Sequence, residues 1–285
     1  MSHVIVLTAQ PDRGLPDEDL FEACQELDVA GPPRRLSPSA AEIPVKGHQM
    51  LDPGDLPVDV NCVPLTGRRK RLLIADMDST MIPVECIDEV ADFAGVREQV
   101  VAITEPAMRG EISFEESLRA RVALMKGLDA DRLRDVYDQR VTLNPGARTL
   151  VQTMRAHGAH TALVSGGFTY FTERVAEAAG FNENRANRLI MADGKLTGTV
   201  EEPILGRAAK LDALNEMTSH LVISAEDVLA VGDGANDLAM IGAAGMGGAF
   251  RAKPVVAAEA DVSIRNGDLT AFLYLQGYAA DDFVD

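Results

Sequence analysis

The chain is poor in aromatic residues and cysteines and contains no tryptophan. Aromatic side chains make up 5% of its 285 residues, and its three cysteines are Cys24, Cys62 and Cys86. Their number is odd and no pair has the spacing of a metal site, so we expect neither a disulfide framework nor a zinc site. The absence of a disulfide framework is typical of proteins in a reducing compartment.

Basic residues and long apolar runs are also scarce. Lys and Arg number 27 against 44 Asp and Glu, which gives a formal net charge of −17. This balance disfavours nucleic-acid binding, because such proteins usually carry a basic face. The opening MSHVIVLTAQPDRG lacks the basic and apolar regions of a signal peptide, and no apolar run approaches the roughly 20 residues of a membrane helix. We therefore expect a cytoplasmic protein with no nucleic-acid or membrane partner; a homodimer is compatible with this.

Residues 1–66 differ in pattern from the rest of the chain. A strand-like HVIVLTA and a helix-like EDLFEACQEL are followed by seven prolines between positions 32 and 64. Proline at this density disfavours helices and central strands. We predict a small, partly regular α+β unit over residues 1–66 that ends in a linker. The basic run at 68–71 is interpreted as part of a solvated linker.

From residue 67 to 285, apolar strand patterns alternate with helical ones. LLIAD, HTALVSGG, VLAVGD, MGGAF and DVSI are strand-like, and RLIMADGKLTGTV predicts a hairpin around Asp193 and Gly194. The alternation predicts an α/β fold with a Rossmann-like parallel sheet covered by helices. Residues 85–143 have helical patterns and no strand, which exceeds a normal crossover and predicts an inserted helical cap.

Polar residues follow three of these strands, where the ligands of open α/β sheets usually lie. Asp76-Met77-Asp78-Ser79-Thr80 follows LLIA, Ser165-Gly166-Gly167 follows TALV, and Gly232-Asp233-Gly234-Ala235-Asn236-Asp237 follows VLAV. Lys210 opens the helix before the last of these strands. Each piece alone fits a helix cap, a turn or a surface charge. Together, at strand ends and in this order, they predict a phosphoryl-transfer site.

The chemistry of this set is consistent with phosphoryl transfer. Clustered carboxylates repel one another and become tolerable beside a cation. Oxygen ligands without His or Cys favour Mg²⁺, which can neutralise the charge of a phosphate. One Asp can then attack as a nucleophile, and a second Asp two residues later can protonate the leaving alkoxide. A serine hydroxyl, backbone amides and a lysine can stabilise the phosphoryl oxygens.

The motifs DMDST, SGGF, Lys210 and GDGANDLAM resemble those of the haloacid-dehalogenase (HAD) superfamily, most closely its phosphoserine phosphatases. The resemblance covers roughly residues 70–278 and implies hydrolysis of O-phospho-L-serine, the last step of serine biosynthesis, through an aspartyl-phosphate. It implies that Asp76 is the nucleophile and Asp78 the general acid and base. It also implies Mg²⁺ ligation by Asp76, Asp233 and the backbone carbonyl of Asp78, with Asp237 in support. The phosphate contacts that it implies are Ser165, Gly166, Lys210 and Asn236.

The resemblance extends to four residues of the predicted cap. It implies that Glu85 binds the substrate ammonium and Arg121 its carboxylate, while Met108 and Phe114 wall the pocket. From the residues alone, Arg109 and Arg119 would be equal candidates for the carboxylate, and Met108 and Phe114 would fit a cap core.

Two alternatives remain open from the sequence. The chain could act on another small phosphomonoester, as a phosphatase or phosphotransferase, or it could be a metabolite-sensing protein on a phosphatase fold. Larger relatives often carry ACT-type regulatory modules, and residues 1–66 resemble a shortened or degenerate one.

Overall fold

The computed structural model describes residues 2–54, 56–108, 111–206 and 208–285, with the backbone only at position 108. It contains a six-stranded parallel sheet in the order β12-β11-β10-β5-β6-β7. The strands are β5 (Leu72–Ala75), β6 (His160–Phe168), β7 (Glu183–Asn187), β10 (Val228–Gly232), β11 (Met246–Phe250) and β12 (Val262–Ile264). The predicted parallel α/β core is thus confirmed.

Central strands of this sheet are continuous apolar runs because helices cover both faces. All four residues of β5 are fully buried, and β10 on one side and β6 on the other pair with it in register. Burying a Leu or Ile side chain contributes about 1.5–3 kcal/mol. The covering helices are α6 (Ala147–Ala156), α7 (Thr169–Ala179), α8 (Ala209–Leu221), α9 (Leu238–Ala243), α10 (Pro254–Glu259) and α11 (Ala271–Leu275).

Four helices lie between β5 and β6, where the cap is predicted. They are α2 (Cys86–Phe93), α3 (Arg97–Met108), α4 (Phe114–Ala123) and α5 (Asp131–Arg140). Helix α4 begins with a capping box: the Ser113 hydroxyl accepts the Glu116 N–H, and the Glu116 carboxylate accepts the Ser113 N–H. Such boxes satisfy amides that have no partner within the helix. The first cap helix, α2, begins at Cys86, a few residues after the DMDST motif that follows β5.

The predicted hairpin is formed by β8 (Leu189–Ala192) and β9 (Lys195–Val200). Asp193 and Gly194 both have positive φ, of 52° and 72°, as a two-residue hairpin turn requires. Three backbone hydrogen bonds of 2.8–2.9 Å join residues 194–196 of this hairpin to residues 127–130 of the cap. The hairpin is thus linked to the cap by backbone hydrogen bonds.

The amino-terminal residues form a four-stranded antiparallel sheet in the order β2-β3-β1-β4, with one helix against it. Its elements are β1 (His3–Ala9), α1 (Asp17–Glu26), β2 (Arg34–Ser37), β3 (Ala40–Val45) and β4 (Val58–Pro64). The inference that proline disfavours a central strand in this stretch was wrong, because β3 contains Pro44 and lies between β2 and β1. Pro44 lies in β3 opposite Val4, beyond the segment Ala40–Glu42 that pairs with β2. On that side the Pro44 carbonyl oxygen accepts the Ala30 N–H at 2.7 Å, a bond that needs no N–H from the proline.

The basic run at 68–71 contacts other parts of the protein, so its interpretation as solvated linker was wrong. The Arg68 guanidinium lies 2.7 Å from the Glu42 carboxylate, and both side chains are about nine-tenths buried. Arg69 stacks on the ring of Tyr278, and Lys70 donates to the carbonyl oxygens of Gly67 and Glu226. The run therefore fastens the antiparallel sheet to the parallel one. The boundary at residues 66 and 67 and the ACT-like character of the first unit stay predictions.

Across the ranges that the structure describes, we find no helix with the length and apolarity needed to cross a membrane.

Candidate active site

The carboxylate of Asp76 lies at the carboxyl end of β5, in the centre of the parallel sheet. Asp76 is 5% exposed, and its backbone N–H donates to the carbonyl oxygen of Val231. Its Oδ1 atom accepts the Met77 N–H and lies 2.6 Å from Nζ of Lys210. Burial, followed by the charge of Asp237, raises the pKa of Asp76, and Lys210 acts in the opposite direction.

Lys210 forms ion pairs with two carboxylates, one that follows β5 and one that follows β10. Its Nζ atom lies 2.5 Å from Oδ1 of Asp237 as well as 2.6 Å from Asp76. Burial by itself lowers the pKa of Lys210, but the two carboxylates reverse this and raise it above the usual value. The ammonium is therefore charged, and it partly compensates two buried negative charges.

Three carboxylates converge at this point. One oxygen each of Asp76, Asp233 and Asp237 lies within 4.8 Å of the others. Asp237 is fully buried, and its Oδ2 accepts the backbone N–H groups of Asp233 and Gly234, so both its oxygens have partners. Burial, followed by Asp237 and Glu85, raises the pKa of Asp233 to about 6. Asp76 and Asp233 are thus the carboxylates best able to bind a cation, and hard oxygen donors of this kind suit Mg²⁺.

The Asp78 carboxylate is hydrogen-bonded to the start of the cap and to the glycine loop of residues 165–167. Its Oδ1 accepts the Cys86 N–H at 2.9 Å, and its Oδ2 accepts the Ser165 hydroxyl at 3.2 Å. Burial, followed by the charge of Glu85, raises the pKa of Asp78 to about 7. A carboxyl group with such a pKa can both donate and accept a proton near neutral pH.

The glycine loop, residues 165–167 near the carboxyl end of β6, lies beside Asp78 and under the cap. Ser165 is 2% exposed, and its hydroxyl also accepts the Gly167 N–H at 2.8 Å. A Cβ atom on Gly166 would lie 3.0 Å from Cζ of Phe114, so the tip of the cap touches the loop. Asn236 lies near the same rim, with its Oδ1 folded over Gly234.

The other cap residues considered for substrate binding are more exposed to solvent. Ser79 donates to an oxygen of Glu85 at 2.7 Å, and Glu85 is exposed. Arg121 is half-buried: burial lowers its pKa, while Asp88 and Glu85 raise it. Arg119 is exposed and bound to Glu202 at 2.7 Å, so it is already paired. The predicted Met108 side chain and Arg109 lie outside what the structure describes.

Two supporting residues escaped the sequence analysis. Thr80 is fully buried and donates to Oδ1 of Asp233 at 3.2 Å. Asn187 donates to the carbonyl oxygen of Gly166 and accepts the Leu205 N–H at 2.7 Å. Thr80 could have been noted because it stands within DMDST, but a lone Asn at the end of a polar strand gives no signal.

The fold and this site define a hydrolase in which acidic residues, a lysine and a glycine loop converge at the rim of a parallel sheet. Residues 73–242 match the haloacid dehalogenase-like hydrolase family, and the chain belongs to that family.

Individual relatives agree with this assignment. The chain is 48% identical over 210 residues to a phosphoserine phosphatase of Polaromonas sp., an alignment that covers 72% of this chain and 89% of the relative. A HAD-family hydrolase from Salmonella enterica serovar Typhi matches 96% of this chain and 98% of its own, with a TM-score of 0.85 and 29% identity. A solved phospho-aspartyl intermediate analogue of phosphoserine phosphatase matches 72% of this chain and 98% of its own, with a TM-score of 0.67 and 42% identity.

Proposed function

We propose that this protein is a phosphoserine phosphatase, which hydrolyses O-phospho-L-serine to L-serine and phosphate through an aspartyl-phosphate. The observation that carries this is the convergence of Asp76, Lys210 and Asp233 at one point, beside the Asp78–Ser165 pair. The relationship to phosphoserine phosphatases over 72% of the chain supports the choice of substrate.

The proposed first step is attack by a carboxylate oxygen of Asp76 on the phosphorus atom. The bond between phosphorus and the serine oxygen breaks, and the protonated carboxyl of Asp78 gives its proton to the leaving oxygen. In the second step Asp78 removes a proton from water, which attacks the acyl phosphate and releases phosphate. Lys210, the Ser165 hydroxyl, Gly166 and Asn236 are proposed to bind the phosphoryl oxygens.

We propose Mg²⁺ as the cofactor, because the donor set fits it. The buried carboxylate of Asp76 and the partly buried carboxylate of Asp233 offer hard oxygen atoms, and the burial that raises their pKa values disfavours their charge when no cation is bound. The Asp78 backbone carbonyl is proposed as a third ligand, with Asp237 in support. When bound, Mg²⁺ would supply positive charge that offsets the phosphate's negative charge.

Selectivity for phosphoserine is proposed to come from the cap. Glu85 would pair with the substrate ammonium and Arg121 with its carboxylate, while Phe114, which touches the position of Gly166, would wall the pocket. The resemblance to the family implies the same role for Met108. The pairing of Arg119 with Glu202 favours Arg121 over Arg119 for this role.

Phosphate release from a panel of small phosphorylated metabolites tests the proposal. We expect Mg²⁺-dependent turnover with the highest kcat/KM for O-phospho-L-serine, and EDTA should abolish it. Asp76→Asn should remove turnover while the far-ultraviolet circular dichroism spectrum stays that of the native protein. Equal turnover of unrelated phosphomonoesters would refute the substrate assignment.

A matched pair of arginine variants on α4 tests the cap assignment. We expect Arg121→Ala to lose activity selectively for esters that carry a carboxylate. Arg119→Ala, the control one half-turn away, should change kcat/KM less than threefold, because an exposed ion pair contributes little. Equal effects of the two substitutions would contradict the role of Arg121. A cytoplasmic location and a homodimer stay predictions from the sequence.

A further inference from the structure

We propose that Ser79 is a positioning residue that fixes Glu85 for recognition of the substrate ammonium. The proposal rests on the function proposed above and deepens it, because it assigns part of the amine selectivity to a residue outside the cap. The Ser79 hydroxyl donates to Oε1 of Glu85 at 2.7 Å, across six residues of chain.

The backbone at Ser79 has an unusual conformation that creates this contact. Its φ of 57° and ψ of 0° are in the left-handed region, which a residue other than glycine seldom adopts. The Ser79 N–H donates to the carbonyl oxygen of Val84 at 3.3 Å and so closes a loop that ends beside Glu85. A local conformational cost of this kind is often found at functional sites.

The same turn sends two neighbouring hydroxyls to different acidic partners. Thr80 is fully buried and donates to Asp233 in the carboxylate cluster, whereas the half-buried Ser79 donates to the exposed Glu85. One short motif thus supports the metal-binding side and the substrate-binding side of the site.

Glu85 benefits from such support because it is exposed and a glutamate side chain has several rotatable bonds. It precedes α2, yet its side chain makes no capping hydrogen bond to that helix. Binding a ligand with a freely rotating side chain costs conformational entropy. A hydroxyl that binds Oε1 reduces this cost and leaves Oε2 to accept the ammonium of a bound amino acid. The charge of Glu85 also acts on Asp78 and Asp233, which places it near the reacting groups.

The expected signature is a change in selectivity. Two esters separate recognition of the ammonium from recognition of the rest of the substrate. They are O-phospho-L-serine and 3-phosphonooxypropanoate, which keeps the phosphate and the carboxylate but has no ammonium. We expect Ser79→Ala to lower the ratio of kcat/KM for phosphoserine to that for the amine-free ester about tenfold, the size of effect typical for a lost hydrogen bond to a charged group. The loss should fall mainly on KM. Ser79→Gly, which suits the left-handed backbone better, should give the same loss of selectivity if the hydroxyl is responsible.

A double-mutant cycle with Glu85→Ala completes the test. In the Glu85→Ala background, adding Ser79→Ala should change the ratio less than twofold, because the group that Ser79 fixes has been removed. An equal drop for both esters, or the same drop in selectivity without Glu85, would overturn the role of Ser79. A wild-type ratio near one would instead overturn the phosphoserine assignment and this inference with it, whereas a high wild-type ratio that both Ser79 variants retain would overturn this inference alone.

Discussion

The Asp59 carboxylate lies 2.7 Å from the backbone nitrogen of Gly267, and this contact fastens the antiparallel sheet to the parallel one. Asp59 is 5% exposed, and it also accepts the backbone N–H groups of Arg265 and Asn266 at 2.9 and 3.0 Å. Next to it, the Asn61 side chain exchanges two hydrogen bonds with the backbone of Ser263. The amino-terminal unit is therefore hydrogen-bonded to the carboxyl-terminal edge of the parallel sheet through Asp59 and Asn61.

Removal of the Asp59 carboxylate should destabilise the whole protein. Asp59→Ala leaves three backbone amides without acceptors, of which that of Gly267 is buried, and we expect the free energy of unfolding to fall by about 3 kcal/mol. Asp59→Asn keeps one acceptor oxygen and should cost less. Asp28→Ala, which breaks only an exposed pair with Lys46, is the control and should cost under about 0.5 kcal/mol. Urea denaturation measures all three, and equal losses at Asp59 and Asp28 would contradict the anchoring role.

Replacement of Val222 by glycine should stabilise the protein. Val222 ends α8 at φ 54° and ψ 50°, a left-handed conformation that is unfavourable for a β-branched residue, and its side chain is 86% exposed. We expect Val222→Gly to raise the free energy of unfolding by about 1 kcal/mol. Val255→Gly, at another exposed valine within α10, should lower it, because glycine disfavours helical backbone. Thermal unfolding distinguishes the two variants. Destabilisation by both substitutions would show that the Val222 side chain makes stabilising contacts.

Loss of the Lys210 ammonium should impair both activity and stability. Lys210→Met leaves Asp76 and Asp237 buried without their shared cation, so we expect the free energy of unfolding to fall by about 3–5 kcal/mol when Mg²⁺ is absent. Phosphate release should fall at least about a hundredfold, because a positioned charge at the phosphoryl group is lost. Lys195→Met on the exposed hairpin is the control, and native kcat in the Lys210 variant would exclude a role in the reaction.

A methyl group on Gly166 should push the cap away from the glycine loop. The backbone at 166 allows alanine, but its Cβ would lie 3.0 Å from the Phe114 ring. Moderate overpacking costs about 1 kcal/mol, so we expect KM for phosphoserine to rise about fivefold in Gly166→Ala. Adding Phe114→Leu, which shortens the opposing side chain, should recover part of the loss. If the change in KM of the double variant equals the combined changes of the two single variants, contact with Phe114 is not the cause of the loss in Gly166→Ala.

Features set by local pattern could be predicted from the sequence. The buried runs LLIA and VLAV lie in the centre of the parallel sheet, and Asp193-Gly194 forms the expected turn. The motif residues Asp76, Lys210 and Asp233 meet because the carboxyl ends of parallel strands share one edge.

Features that depend on distant partners could not be predicted. Strand β7, with the polar sequence ENRAN, is an edge strand whose pairing with β6 leaves no apolar pattern. The strands of the Pro-rich segment were missed because the sequence does not reveal that Pro44 lies beyond the part of β3 that pairs with β2. Likewise, the contact of Arg68 with Glu42 spans 26 residues, and nothing in the basic run indicates a buried partner.

The hydrogen bonds between the β8–β9 hairpin and residues 127–130 determine what any movement of the cap must involve. If helices α2–α5 moved away from Ser165 without the hairpin, three backbone hydrogen bonds and the Asp129–Lys195 ion pair would break. If those bonds persist, the hairpin travels with the helices, and the bending falls on its two connections to the sheet, near residues 188 and 201. Entry of a substrate would then depend on hinges near residues 188 and 201, which lie outside the cap sequence itself.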